Sequence, residues 1–414
     1  MGPGTIQGGR RPRILFVAEA VTLAHVARPL ALAGRLDRSR FEVCFASAPQ
    51  FGEPWRGSGL EYRPIRSVDP GQFLAALDAG RPLYDAETLG AYLDEDLAIL
   101  REVRPDVVVG DCRFTLSVSA RLAGVPYLAI VNAYWSPYAD RAYPMPEFPL
   151  SRILGVRLAT PIFRLARPMA FAMHTRPFNR LRTEHGLPGL GSDLGAAYSE
   201  ADRTLYADVP ELVPTAGLPA THHYLGPIEW SPSVELPAWW DEIPPDRPVV
   251  YATLGSSGRP GLLSNVLEAL ADLDVTVIAA SAGKALEGRL PANARIAPYL
   301  PGREAAGRSS LVICNGGSPT THQALGVGTP VLGLAANLDQ HLNMVGVVGT
   351  GAGLLVRSEH ARPPAIRSAA QRILADPSFR SAAAGLAAIF ARYDAHARFR
   401  AVLDEVIRSG RSRG

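Results

Sequence analysis

Short apolar runs alternate with longer helix-period segments along this chain, and they do so in two separate tracts. That alternation is the sequence form of a parallel α/β sheet with helices on its faces. In the first tract the strand candidates are 13–18, 41–47, 61–65, 106–110 and 127–131, with helical patterns such as 26–36 and 92–103 between them. In the second they are 249–254, 275–280, 295–297, 311–314, 330–334 and 353–356, followed by helical sequence over 363–409. The intervening stretch is dense in proline and tryptophan, which stiffens and extends a chain, and it reads as a linker. At 414 residues the chain is long for one domain. The expected organisation is a tail over 1–12, a domain over 13–225, a linker over 226–247, a second domain over 248–385, and terminal helices over 386–409 placed to pack back on the first domain. Two such units enclose a cleft, and open parallel sheets bind ligands at the carboxyl ends of their strands.

Composition excludes several classes. A formal net charge of +3 is too small to argue for a nucleic-acid partner. Lys284 is the sole lysine, so arginine carries the positive charge. Cys44, Cys112 and Cys314 are far apart and show no metal-ligand spacing, which argues against disulfides and zinc and fits a reducing cytoplasm. No apolar core follows the charged start, so no signal peptide is expected. The most apolar stretch, 14–32, is interrupted by Glu19, His25 and Arg28 and reads as strand plus helix rather than a membrane span. The segment 152–186 breaks the rhythm with arginines set among apolar residues. It reads as an acceptor-side lid or interdomain face, or as a surface touching an anionic membrane. Nothing else indicates membrane association.

The segment 311–355 is the most informative. A strand is followed by the turn Asn315-Gly316-Gly317, then by Ser318, suited to an N-cap, and Pro319, suited to a first helical turn. The N–H groups of such a turn, with Ser318, Thr320 and Thr321, form a pocket for an anion, helped by the helix dipole. A plain strand–helix turn explains the same residues. Further on, Asn337-Leu338-Asp339-Gln340 follows another strand, with Asn343 one turn later. An acid beside an amide at a strand exit suits adjacent sugar hydroxyls.

Taken together these residues resemble the donor motif of the family 1 glycosyltransferases, the group of bacterial macrolide and natural-product enzymes and plant flavonoid enzymes. Gly316, Gly317, Thr320, Thr321, Pro330, Asp339, Gln340 and Asn343 fall on that pattern. The resemblance implies an α/β fold of two Rossmann-like domains facing across a cleft, the GT-B fold. It extends to Tyr299-Leu300-Pro301, where Tyr299 would stack on the nucleobase, and to Gly255-Ser256-Ser257, a loop that would contact the donor phosphates. Asn315 stands where the family usually has a histidine that hydrogen-bonds the diphosphate. It keeps an amide donor and lacks a cationic form.

In the first tract the resemblance implies a catalytic histidine at His25, after the first strand, and a carboxylate partner at Asp111, after the strand 106–110. The glycines that often precede this histidine are replaced here by Val21-Thr22-Leu23-Ala24. Tyr134, Trp135 and Tyr138, with Tyr143 and Phe148, follow the fifth strand and suit an aromatic acceptor pocket, although core packing explains them equally. Asp94-Glu95-Asp96 reads as a solvated helix face, and His222-His223 as surface histidines. The expected activity is an inverting, metal-independent transfer of a hexose from a nucleotide-diphosphate sugar to a small-molecule acceptor, with no cofactor, by a monomer or homodimer. A sugar-nucleotide epimerase or hydrolase on the same fold, and a non-catalytic binding or activator protein, are the alternatives.

Overall fold

A computed structural model describes residues 10–51, 54–140, 142–231, 234–255, 258–259, 261–286 and 288–411. The expected donor-loop residues Ser256 and Ser257, and most of the expected tail, lie outside these. Of the tail, Arg10 is held on the first domain by a two-pronged contact to Asp106, 2.9 Å in each branch.

The first sheet comprises β1 (Arg13–Ala18), β2 (Glu42–Ser47), β3 (Glu61–Pro64), β4 (Val107–Asp111), β5 (Tyr127–Val131), β6 (Arg203–Tyr206) and β7 (His222–Tyr224). All pairings are parallel, in the order β3-β2-β1-β4-β5-β6-β7. The second comprises β8 (Val249–Thr253), β9 (Thr276–Ala280), β10 (Ala294–Ala297), β11 (Leu311–Cys314), β12 (Val331–Ala335) and β13 (Gly353–Arg357), parallel in the order β10-β9-β8-β11-β12-β13. The first unit carries helices α1 (Leu23–Gly34), α2 (Pro70–Ala79), α3 (Ala86–Val103), α4 (Leu116–Ala123), α5 (Pro149–Glu184) and α6 (Leu194–Ser199). The second carries α7 (Leu262–Leu270), α8 (Gly302–Gly307), α9 (Ser318–Gly326), α10 (Leu338–Gly349), α11 (Pro363–Ala375) and α12 (Pro377–Phe390). The last helix, α13 (Ala395–Arg411), crosses back to the first sheet, with Phe399 against Phe16 at 5.8 Å.

Apart from Arg13 at the start of β1, the central strands are buried, because helices cover both faces of each sheet. In both sheets the strand order reverses between neighbours: β1 and β4 in the first, β8 and β11 in the second. At such a switch point the two following loops diverge and leave a crevice at the strand ends. The register Ala18↔Asp111 and Thr253↔Cys314 brings those ends level. The two crevices face each other across one cavity of about 1290 Å³.

Three expectations are corrected. Asp94-Glu95-Asp96 is not a solvated face: Asp94 is exposed, but Asp96 is fully buried. The inward side of α3 carries Tyr92, Asp96, Ile99 and Val103 at helical spacing, which turns Asp96 into the domain. His222-His223 forms part of β7, where the His222 ring meets the Tyr206 hydroxyl at 2.6 Å. Ser318 does not cap α9; Gly317 occupies that position, and the Ser318 hydroxyl donates to Asn132 Oδ1 at 3.3 Å.

Candidate active site

His25 lies in the first turn of α1, and Asp111 ends β4. Its ring Nδ1 is 2.7 Å from Asp111 Oδ1, which leaves Nε2 as the ring atom free of that contact. The Asp111 carboxylate is buried, and Arg28 holds it from the other side through Nε (2.8 Å) and Nη2 (2.9 Å). Burial opposes charge on the imidazole. The Cys112 sulfur and the Asp111 carboxylate outweigh it and lift the His25 pKa from 6.5 to about 10. Arg28 Nη1 continues to Asn132 Oδ1, and Asn132 Nδ2 donates to Asp208 Oδ2 at 3.1 Å. Asp208 in turn faces His322 Nε2 of α9 at 3.2 Å. A buried polar thread therefore runs from the His25–Asp111 pair to the first helix of the facing crevice.

Across the cavity, the turn after β11 begins with Asn315. Its Oδ1 accepts from the Gly317 N–H at 3.2 Å. The Gly316 N–H points to Cys314 Sγ, and the Thr321 N–H is already in the helix. Among the turn's backbone donors, Ser318 and Thr320 at the α9 N-terminus are therefore the ones left for an anion, since Pro319 has no N–H. Gly316 has φ 78°, and an added Cβ would sit 2.8 Å from Met344 Cγ, so both the conformation and the packing demand glycine.

Asn315, Gly317, Ser318 and Thr320 line the cavity; Gly316, Thr321 and Asn343 do not. Asn343 Nδ2 bonds Gly316 O at 2.7 Å and Thr321 Oγ1 at 2.9 Å, bracing the turn from behind. Asp339 and Gln340 face the cavity from the first turn of α10. Gln340 Oε1 accepts from Ala336 N–H at 2.9 Å in the α10 cap, which leaves its Nε2 donors for the cavity. Asp339 Oδ1 accepts from Trp135 Nε1 at 2.7 Å, across the two domains, and Oδ2 remains. Gly255, with φ 60°, Leu300 and the half-exposed Tyr299 complete this wall.

Residues 264–393 match the family described as Erythromycin biosynthesis protein CIII-like, C-terminal domain. The chain is 54% identical over 381 residues to the PGL/p-HBAD biosynthesis glycosyltransferase of Mycobacterium tuberculosis (strain ATCC 25177 / H37Ra), covering 92% of this chain and 89% of that protein. It is 53% identical over 383 residues to the PGL/p-HBAD biosynthesis rhamnosyltransferase of Mycobacterium bovis (strain BCG / Pasteur 1173P2), covering 92% and 85%. The chain belongs to the PGL/p-HBAD biosynthesis glycosyltransferases. Its fold is that of the spinosyn rhamnosyltransferase SpnG complexed with thymidine diphosphate, with a TM-score of 0.70 at 22% identity over 94% of this chain and 99% of that one. This glycosyltransferase therefore has the GT-B fold, and the epimerase and non-catalytic readings give way.

Of the aromatic residues expected in the glycosyltransferase's acceptor pocket, Trp135 and Phe148 line the cavity, and Trp135 stacks on Tyr198 at 4.7 Å. Tyr134 is core, and burial with Asp339 and Asp208 nearby pushes its hydroxyl pKa well up. Tyr138 packs edge-on against His222. The cavity wall on the first domain is also built from Phe73, Leu77, Phe114, Phe163 and Phe171. Sequence reasoning missed Arg28, Asn132 and Asp208, whose meeting depends on chain crossings between residues 28, 132 and 208. It also missed Lys284, which lines the cavity and donates to Gly258 O at 3.1 Å.

Proposed function

We propose that this glycosyltransferase moves a hexose from a nucleotide-diphosphate sugar to a hydroxyl of an apolar acceptor, with inversion and without a metal. The observation that carries this reading is the His25–Asp111 pair set opposite the α9 and α10 N-termini across one cavity. His25 Nε2 takes the acceptor proton as the oxygen attacks the anomeric carbon. Asp111 and Arg28 hold the ring and the charge it gains. The diphosphate leaves toward the N–H groups of Ser318 and Thr320 and the Thr320 hydroxyl, where the helix dipole stabilises its growing charge. Asp339 Oδ2 and the Gln340 amide hold the sugar hydroxyls, and Tyr299 stacks on the base. The relatives named for PGL/p-HBAD biosynthesis support an acceptor of that biosynthesis, and the thymidine diphosphate complex of SpnG supports thymidine as the nucleoside. The deciding experiment incubates the enzyme with thymidine- and uridine-diphosphate hexoses and an apolar alcohol, and reads the product's anomeric configuration by NMR. Inversion supports the reading; retention, or hydrolysis without transfer, ends it.

Saturating EDTA should leave the transfer rate unchanged, because the leaving group is met by a helix terminus and the Thr320 hydroxyl. A rate abolished by EDTA and restored by magnesium or manganese would refute metal independence.

Asn315→Ala should weaken nucleotide-diphosphate binding about tenfold, the worth of one neutral hydrogen bond of about 1–1.5 kcal/mol. The loss combines the amide's own contact with a loosened Gly317 peptide. Asn315→His should retain binding or tighten it, as titration calorimetry would record.

The aromatic and aliphatic acceptor wall implies a length dependence. Each methylene added to a linear alcohol acceptor should lower KM by up to about fourfold, from about 0.8 kcal/mol per buried methylene, until the cavity is filled. A KM indifferent to chain length would show that the tail lies outside the cavity.

A further inference from the structure

Helix α5 presents two unlike faces. Toward the protein, Phe163, Ala166, Ala170 and Phe171 line the cavity. Toward solvent, Leu158, Leu165 and Met169 are 66%, 86% and 68% exposed. Ile162 and Met173 lie between and beyond them at steps of three and four residues, so these side chains form one continuous stripe. Exposed apolar side chains in such a row mark an interaction surface rather than ordinary solvent contact. Ile162 belongs to both faces, since it is half-exposed on the stripe and also lines the cavity.

Charge identifies the occupant. From Pro149 to Thr183 the helix contains no carboxylate side chain. Arg157, Arg164 and Arg176 are exposed, and no carboxylate among the described residues reaches ion-pair distance of them. A second copy docked two-fold on this face would set basic residues against basic residues. A bilayer with anionic headgroups meets both demands, accepting the apolar stripe below and the guanidiniums at headgroup level. No described helix is long and apolar enough to cross a membrane, so α5 would lie in the interface plane.

We propose that α5 docks the enzyme on an anionic membrane surface and that Ile162 marks where an acceptor passes from the bilayer into the cavity. Surface binding stands on the helix alone, while the route into the cavity rests on the apolar acceptor proposed above.

Flotation with vesicles of phosphatidylcholine alone, and of equal parts phosphatidylcholine and phosphatidylglycerol, tests this. The full-length enzyme should partition to the anionic vesicles at least about tenfold more than to the neutral ones, and less as salt rises. The double variant Leu165→Gln/Met169→Gln and the triple variant Arg157→Gln/Arg164→Gln/Arg176→Gln should each lose about tenfold or more. Both should keep the parent's circular dichroism and its transfer rate to an alcohol dissolved without lipid. Absence of flotation with anionic vesicles, or variants that float like the parent, would overturn the proposal. So would light scattering that shows a dimer dissociated by Leu165→Gln/Met169→Gln, which would assign the stripe to a second copy. Transfer in lipid-free solution reads the glycosyl reaction separately: its loss with flotation intact ends the acceptor route and leaves the docking surface standing.

Discussion

His25→Ala is expected to lower turnover by about 10²–10⁴-fold, the usual worth of a positioned general base. Nucleotide binding and thermal unfolding should stay close to the parent's, because the ring is partly exposed to the cavity and its carboxylate partner, Asp111, remains held by Arg28. The pH profile separates a base from a merely structural histidine. A base acts deprotonated, so kcat/KM should rise about tenfold per pH unit below the imidazole pKa and level off above it. Cys112 and Asp111 raise that pKa, so the rise should extend well above pH 7. Asp111→Asn removes one of the groups that favour the imidazolium and leaves the Arg28 cation beside the ring. Both changes lower the His25 pKa, so the acid limb should move to lower pH while the plateau falls. An unaltered rate in His25→Ala would remove the residue from the mechanism. An acid limb that stayed in place in Asp111→Asn would uncouple the pair.

The parts of this site that were legible in the sequence are those that follow strands. His25, Asp111, Asn315 and Asp339 each sit at or just beyond a strand's carboxyl end, and parallel sheets gather such positions at one edge. The resemblance to family 1 glycosyltransferases then gave those positions roles. Position along the chain did not reveal which side chains face the cavity. Thr321 and Asn343 fall on the motif yet brace the turn from behind, because successive residues of a helix point in different directions. Arg28 read only as a charge interrupting an apolar stretch; its role depends on Asp111 and Asn132, which the fold alone brings near. Trp135 read as an acceptor aromatic; it lines the cavity, and its N–H also fixes Asp339 in the other domain, which the sequence did not reveal. In the fold, β6 and β7 escaped notice because they are short, and His222-His223-Tyr224 offers no apolar run. The segment 152–186 read as a lid, an interdomain face or a surface touching an anionic membrane, and only the packing shows which of its apolar residues face water.

Arg113→Met should destabilise the first domain by about 3–5 kcal/mol, the cost of stranding buried charges when one partner is removed. Arg113 is fully buried two residues after Asp111, and Cys112 between them takes the left-handed conformation, with φ 60°. Its guanidinium meets Glu19 Oε2 at 2.9 Å, Asp96 Oδ1 at 3.0 Å and Glu95 Oε2 at 2.9 Å, and lies 3.6 Å over the Tyr92 ring. Burial already raises the Asp96 pKa against the pull of Arg113, so this carboxylate is held at some expense. Methionine fills similar space and supplies no positive charge, leaving Glu19 and Asp96 to become protonated or admit water. Because protonation relieves the stranded carboxylates, the deficit should shrink as pH falls. Adding Glu19→Gln and Asp96→Asn to Arg113→Met should recover much of the lost stability, since neutral amides do not carry the desolvation cost of carboxylates. Urea unfolding followed by circular dichroism, run on parent, single and triple variants, would record these differences. A single variant within about 1 kcal/mol of the parent would mean that the cluster is solvated and contributes little. A triple variant no better than the single would mean that Arg113 acts by packing on Tyr92 and not by charge.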